Sequence, residues 1–178
     1  MVDGLLLVKS PFGIENYTLK DLALYFEKFD GYICQIETTE SIIRFKFEKS
    51  SLPHLIGMHY AYAYNKNKNL YKGLSGFEML KNGRIGYKDL KKAISKNTKS
   101  SISWKNIQER IEYLPMFLNT IEQRKNSVFQ KFDRKETTAR TKMQSDYILV
   151  KNLLDNIYPC LTLKKINSSK VVVETFIV

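Results

Sequence analysis

The chain contains two histidines, His54 and His59, five residues apart in the run SSLPHLIGMHYA from Ser50 to Ala61. Imidazole titrates near a pKa of about 6.5, so both of its forms are accessible at neutral pH and it suits proton transfer. A zinc site fits these residues poorly. Five positions on one straight helix are about 140° apart, which places the two rings on different faces, and neither an HExxH nor a paired CxxC motif is present. Two-metal chemistry needs clustered carboxylates, and the acids here are scattered. No P-loop, GxGxxG or GxSxG motif supports nucleotide hydrolysis, dinucleotide chemistry or acyl transfer. Cys34 and Cys160 are single residues within apolar runs and read as packing residues. The expectation is a site that uses neither a metal nor a cofactor.

Charge indicates what such a site would meet. The chain carries 29 Lys and Arg against 18 Asp and Glu, a net charge of +11. Between Tyr64 and Lys105 stand Lys66, Lys68, Lys72, Lys81, Arg84, Lys88, Lys91, Lys92, Lys96, Lys99 and Lys105, opposed only by Glu78 and Asp89. A concentrated positive field attracts polyanions, so nucleic acid is the first partner to consider; the alternative is a lysine-rich surface set by codon usage. RNA suits a metal-free site because its own 2′-hydroxyl can attack the adjacent phosphate. The protein then supplies a group to take the 2′ proton, a cation for the charge on the transition state and a donor for the leaving 5′ oxygen. Tyrosines interleave with the lysines at Tyr60, Tyr62, Tyr64, Tyr71 and Tyr87, as a stacking surface or as core.

The elements that would position these groups are legible in part. Leu19, Leu22, Ala23, Phe26 and Phe29 fall at helical spacing behind Thr18 and Asp21, which resemble a capping box, and Asp30-Gly31 supplies a stop. Tyr32–Glu37 and Ser41–Glu48 flank Thr38-Thr39-Glu40 as a hairpin, with Ile43, Phe45 and Phe47 alternating with Arg44, Lys46 and Glu48. Ser50-Ser51-Leu52-Pro53 reads as a serine-capped helix start with Pro near the first position, and both histidines would lie on that helix. Short helices follow around Phe77–Lys81 and Tyr87–Ser95, separated by Asn82-Gly83. A longer helix begins after the cap Ser103, with Ile107, Ile111, Leu114, Leu118 and Ile121 on one stripe and Pro115 expected to kink or restart it. Thr137–Lys151, Tyr158–Lys165 and Lys170–Val178 are β-rich, the last two joined by Asn167-Ser168-Ser169. In the closing strand, Val171, Val173, Thr175 and Ile177 would share one face. This order predicts an α+β fold, with helices on one face of an antiparallel sheet. No long apolar run or signal pattern is visible, so one domain over residues 1–178, without a membrane segment and in the cytoplasm, is expected.

Several of these stretches together resemble a known family. Ile42 to Ala61, IIRFKFEKSSLPHLIGMHYA, is similar to the strand and HLxGL-type helix of phage-associated nucleases in the Barnase, EndoU, colicin and RelE (BECR) superfamily, with Met58 in place of the usual second Leu. Ile107–Leu114 (IQERIEYL), Lys142–Leu149 (KMQSDYIL) and Val173–Ile177 (VETFI) resemble that branch's Arg-Ile helix, its strand with Lys and then Asp-Tyr, and its closing strand. The resemblance implies N-terminal helices and a central helical segment packed on a sheet of four strands or slightly more, with RNA lying across it. It also implies action as a toxin restrained by a cognate antitoxin or immunity protein.

The resemblance and the chemistry together select candidates, each with a plainer alternative. His54 matches the family histidine at a strand-to-helix junction; the alternative is a capping or core histidine. His59 reads as structural. Arg110 is a phosphate clamp or half of an intramolecular salt bridge. Lys142 would stabilise the transition state, and Thr175 is an orienting hydroxyl or a buried strand former. Tyr147 stacks a base or packs. Lys88, Lys91 and Lys92 are the candidate RNA-binding residues. Two functional classes stay open: a metal-independent endoribonuclease, as a toxin or phage-conflict effector, and a non-catalytic nucleic-acid-binding or inhibitor protein on the same scaffold.

Overall fold

The computed structural model describes residues 17–37, 42–97, 100, 102–122, 128–131, 145–150, 158–167 and 170–178. The first helix, α1 (Leu19–Glu27), starts at the expected capping box: the Thr18 backbone N–H donates to Asp21 Oδ2 at 2.9 Å, and the Asp21 N–H donates to Thr18 Oγ1 at 3.2 Å. Two otherwise unpartnered donors at the helix end are thereby satisfied. Leu19, Leu22, Ala23 and Phe26 form its buried face. Gly31, at φ 82°, turns the chain into the hairpin of β1 (Ile33–Glu37) and β2 (Ile42–Lys46), paired antiparallel from Ile33↔Lys46 to Glu37↔Ile42. Alternation does what period two requires: Ile43 and Phe45 are buried while Ile42, Arg44 and Lys46 are exposed. Phe47 continues inward and meets Phe26, Phe29 and Phe45 edge-to-face, which fixes the hairpin to α1.

A single 3-10 turn (Lys49–Ser51) leads into α2 (Leu52–Leu55), and α3 (Met58–Ala61) follows. Pro53 stands in the first turn of α2 as expected, but Ser51 makes no side-chain capping bond, because the 3-10 turn rather than a capped loop delivers the chain to the helix. A second 3-10 turn (Lys68–Tyr71) precedes α4 (Gly73–Lys81) and α5 (Tyr87–Lys96). The long helix α6 (Trp104–Glu122) begins at Ser103, whose Oγ accepts from the Asn106 N–H at 3.3 Å. It runs through Pro115 without restarting.

Three stretches that the sequence marks as β-rich contribute β4 (Tyr147–Val150), β5 (Cys160–Lys165) and β6 (Val171–Ile177), and β3 (Val128–Lys131), not anticipated from the sequence, adds an edge. The sheet has six strands in the order β1-β2-β6-β5-β4-β3. That is two more than the basic four-stranded expectation. Pairing is antiparallel except where β2 meets β6 in parallel through Phe45↔Val171. Ile107, Ile111, Leu114, Phe117 and Leu118 of α6 are buried in the same core as Leu149, Leu161, Leu163 and Phe176 of the sheet, with Phe117 and Phe176 edge-to-face at 5.4 Å. The α+β class stands.

Between β5 and β6 the register slips: Thr162 pairs with Thr175 but Leu163 pairs with Val173, so the register skips Glu174. The simple alternation that put Thr175 on one face with Val171 and Val173 therefore fails at this bulge, which bends the strand and re-aims its side chains.

The position of α2 depends on close packing at Gly76 of α4. A Cβ there would lie 2.7 Å from the carbonyl carbon of Tyr71 and 3.0 Å from Cγ of Pro53, the neighbour of His54. Gly76→Ala is expected to lower unfolding free energy by about 1–3 kcal/mol, the usual cost of overpacking. Denaturant unfolding measures it, and an unchanged midpoint would show that α4 and α2 have room to part.

Candidate active site

Gly57 decides how the two histidines meet. It separates α2 from α3 with a left-handed backbone, φ 82°, and a Cβ at this position would stand 3.3 Å from Cγ1 of Ile107 and 3.8 Å from Nη1 of Arg110. Glycine alone adopts this conformation without steric cost, and its missing side chain admits α6. Because the helix breaks here, the angle for one straight helix does not apply. The rings of His54 and His59 stack at 4.0 Å and 12°, and the His59 ring lies 3.9 Å from that of Tyr60. The expectation that the two histidines face apart is thus corrected.

Arg110 enters from α6. It is only 8% exposed, its Nη1 donates to Thr175 Oγ1 at 3.4 Å, and its guanidinium lies 5.8 Å from the Tyr60 ring centroid. Among the described residues it has no carboxylate partner, so the salt-bridge alternative finds no support there. A buried cation without an anion is costly, and this one faces a hydroxyl and an aromatic ring.

Thr175 is itself held on both sides. Its N–H donates to Thr162 Oγ1 at 3.1 Å, and it receives Arg110 on its hydroxyl. It is buried, as its plainer reading has it, and it touches the guanidinium as well. The bulge residue beside it, Glu174, accepts a short hydrogen bond from Ser145 Oγ at the start of β4, and its backbone hydrogen-bonds the His54 side chain. The slipped register thus brings β6 against both α2 and α6.

The electrostatics favour neutral imidazoles. Crowding by protein lowers the His54 pKa, the positive charges of Arg110 and Lys72 lower it further, and Glu174 opposes them. For His59, burial is again the largest cause, followed by His54, Arg110 and Lys72, and the pKa falls to about 3. His59 Nδ1 is buried with no hydrogen-bond partner among the described residues. His54 is exposed at the surface, whereas His59 is half-buried. Burial pushes the Cys34 and Cys160 thiols up to about 11, as suits packing residues.

Of the sequence candidates, His54, Arg110 and Thr175 are brought together. Tyr147 sits on β4 opposite Leu163, half-buried against the core, in accord with its packing alternative. Lys88, Lys91 and Lys92 stand exposed on α5. Lys142 lies outside the described residues. Lys72, His59 and Tyr60 were not singled out for the site; the signal for the last two was the glycine inside an apparent helix, which marks a break. No cluster of three or more His, Cys, Asp or Glu that could hold a metal ion occurs among the described residues, and no helix among them is long and apolar enough to cross a membrane.

Residues 18–178 match the model of the family described as phage-Barnase-EndoU-ColicinE5/D-RelE like nuclease4. The chain belongs to this family. The match spans every element of the site, from the His54 turn to the closing strand, and makes the chain a nuclease of the BECR superfamily by descent. No curated protein matches the chain, and no solved structure does.

The pKa of His59 yields a stability test with a definite sign. A histidine whose folded pKa lies below its ordinary value stays neutral in the folded state while the unfolded chain takes up a proton, so stability is lost as pH falls. The window for His59 runs from about 6.5 down to about 3. The phenyl ring of His59→Phe preserves the stack and cannot be protonated, so this variant should lose less Tm than the parent between pH 7 and pH 4. Parallel melting curves would count against a neutral, desolvated His59.

Proposed function

We propose that the chain is a metal-independent endoribonuclease that cleaves RNA through attack of the 2′-hydroxyl on its own phosphodiester, and that it serves as a toxin or phage-conflict effector. The observation that carries this reading is the buried Arg110 guanidinium, without a carboxylate among the described residues, beside a neutral His54 and the Thr175 hydroxyl. A phosphate fits such a place: it supplies the missing anion, accepts from the guanidinium and can take a hydrogen bond from a hydroxyl. His54 takes the proton from the 2′ oxygen as that oxygen bonds to phosphorus. Arg110 holds the charge that develops on the non-bridging oxygens, with Lys72 adding to the positive field and Thr175 orienting the guanidinium. The bond from phosphorus to the 5′ oxygen breaks, that oxygen takes up a proton from water while His54 returns its own to solvent, and a cyclic phosphate remains on the upstream fragment. Lys142 keeps the charge-stabilising role that the family resemblance gives it. Lys88, Lys91 and Lys92, exposed on α5, draw the polyanion to the protein, and a cognate antitoxin or immunity protein would hold such an activity in check.

The decisive experiment is incubation of purified protein with transfer RNA and total RNA in excess EDTA. Discrete fragments ending in 2′,3′-cyclic phosphates are expected. His54→Ala should reduce their rate of appearance by about 10² to 10⁴, the usual contribution of a general acid or base, and should abolish growth arrest in cells. Its melting temperature and RNA affinity should stay close to the parent's. Cleavage at the parental rate, or a variant that unfolds, would return His54 to a structural role.

Binding should weaken with salt, because neutralised phosphates release counterions, with a log-log slope of about −0.7 per phosphate on single strands. Replacing Lys88, Lys91 and Lys92 with Gln should flatten that slope by about 0.7 for each phosphate no longer neutralised. An unchanged slope and affinity would move the binding face elsewhere.

A further inference from the structure

A cleft of about 660 Å³, a volume within the range of small-molecule sites, is lined by Ala61 at the end of α3, by the turn that follows it and by α5. Tyr60 connects the cleft to the histidine stack: its ring lies against His59, while its carbonyl accepts from Asn97 Nδ2 at 2.7 Å at the end of α5. Asn97, which lines the cleft, thus ties it to Tyr60 of the candidate active site.

Its lining combines three kinds of group. Tyr62 presents a ring held in a parallel stack with Tyr71, at 3.8 Å and 3°, and Tyr64 stands at the cleft with 68% of its surface exposed. Lys92 and Lys96 are one helical turn apart on α5 and both line the cleft. Asp89 lies on the same ridge, three residues before Lys92; its Oδ2 accepts from the Gly86 N–H at 2.8 Å and fixes the carboxylate at the start of α5. Burial, the Asp89 charge and Tyr71 push the Tyr62 phenol up to about 12, so it remains a neutral donor.

We propose that this cleft is a nucleotide subsite that stacks one RNA base on Tyr62 and Tyr64, seats its phosphate on Lys92 and Lys96, and prefers bases bearing an exocyclic amino group. This rests on the reading of the chain as an RNA-cleaving nuclease and adds where a flanking nucleotide of the same strand is held. An ionised carboxylate only accepts hydrogen bonds. Cytosine, adenine and guanine offer Asp89 an amino group, whereas uracil offers only its ring N3–H between two carbonyl oxygens that repel a carboxylate, so Asp89 favours the amino-bearing bases. The lysines alone would bind any anion; the Tyr62 ring, fixed by its stack on Tyr71, and the exposed Tyr64 ring make the site selective for a flat, π-faced ligand.

The test is titration of isotope-labelled protein with cytidine, adenosine, guanosine and uridine 5′-monophosphates, and with inorganic phosphate alone, followed by NMR. Saturable shifts are expected at Tyr62, Tyr64 and Lys92 with the three amino-bearing nucleotides. Uridine monophosphate should bind about two- to tenfold more weakly, the range for one missing hydrogen bond. Tyr64→Ala should weaken binding by about fivefold or more; its side chain is largely solvent-exposed, and a matching melting temperature confirms an intact fold. Lys92→Gln with Lys96→Gln provides a second variant that should weaken binding through the phosphate. The proposal is overturned if phosphate alone reproduces the shifts, if uridine monophosphate binds equally well, or if the cleft stays silent while the protein cuts RNA. Nucleotide shifts in the cleft of a protein that leaves RNA intact in EDTA would sink the metal-independent ribonuclease reading and leave the subsite standing.

Discussion

A guanidinium is the most difficult charge to neutralise in a protein, because it does not give up its proton at any ordinary pH. A buried lysine can become neutral; Arg110 cannot, and burial in α6 lowers its pKa without removing its charge. Its surroundings have to compensate, and they do so incompletely: a hydroxyl from Thr175 and the face of Tyr60 are what the described residues provide. The neighbouring groups respond to that charge. His54 and His59 both lie below the ordinary histidine range partly because Arg110 is near, and the rise of the Cys160 thiol is opposed by the same charge.

Two irregularities bring this charge to the histidines. The left-handed Gly57 breaks what would otherwise be one helix and leaves room for Arg110. The bulge at Glu174 gives β6 one residue too many for its partner and turns it toward α2 and α6. Regular structure would not achieve this. A continuous helix would separate the histidine rings, and an unbroken ladder would spend the backbone of Glu174 on β5. Departures of this kind cost stability and persist where the surrounding packing holds them; here that packing includes Gly76 against Tyr71 and Pro53.

Those irregularities also mark where the sequence was legible and where it was not. The capping box at Thr18, the alternation of Ile43 and Phe45 and the apolar stripe of α6 express local rules, and each emerged as read. Arg110 and Thr175 could be selected only through resemblance, since a stripe position and a strand threonine look the same in any fold. The stack of His54 on His59 was missed because helical angles were applied across a glycine. Short β3 lacks a clear alternating pattern, and the parallel contact between β2 and β6 joins distant parts of the chain that no local pattern connects. Non-local pairing is decided by the assembled core rather than by propensity.

On the proposed reading, the charge that governs the free protein also governs the reaction. Crowding by protein, and then the charges of Arg110 and Lys72, favour a neutral His54 before substrate arrives, the form a general base requires. A phosphodiester bound against Arg110 brings the missing negative charge, and by the same Coulombic reasoning it raises the pKa of the nearby imidazole. His54 then becomes a better proton acceptor when an RNA phosphate is in place and when the proton has to be taken. His59, set behind it with a buried, unpartnered ring nitrogen among the described residues, gains much less from a surface anion and stays neutral. Two stacked imidazoles therefore divide the work by exposure: one exchanges protons with the substrate, and the other keeps its ring in place.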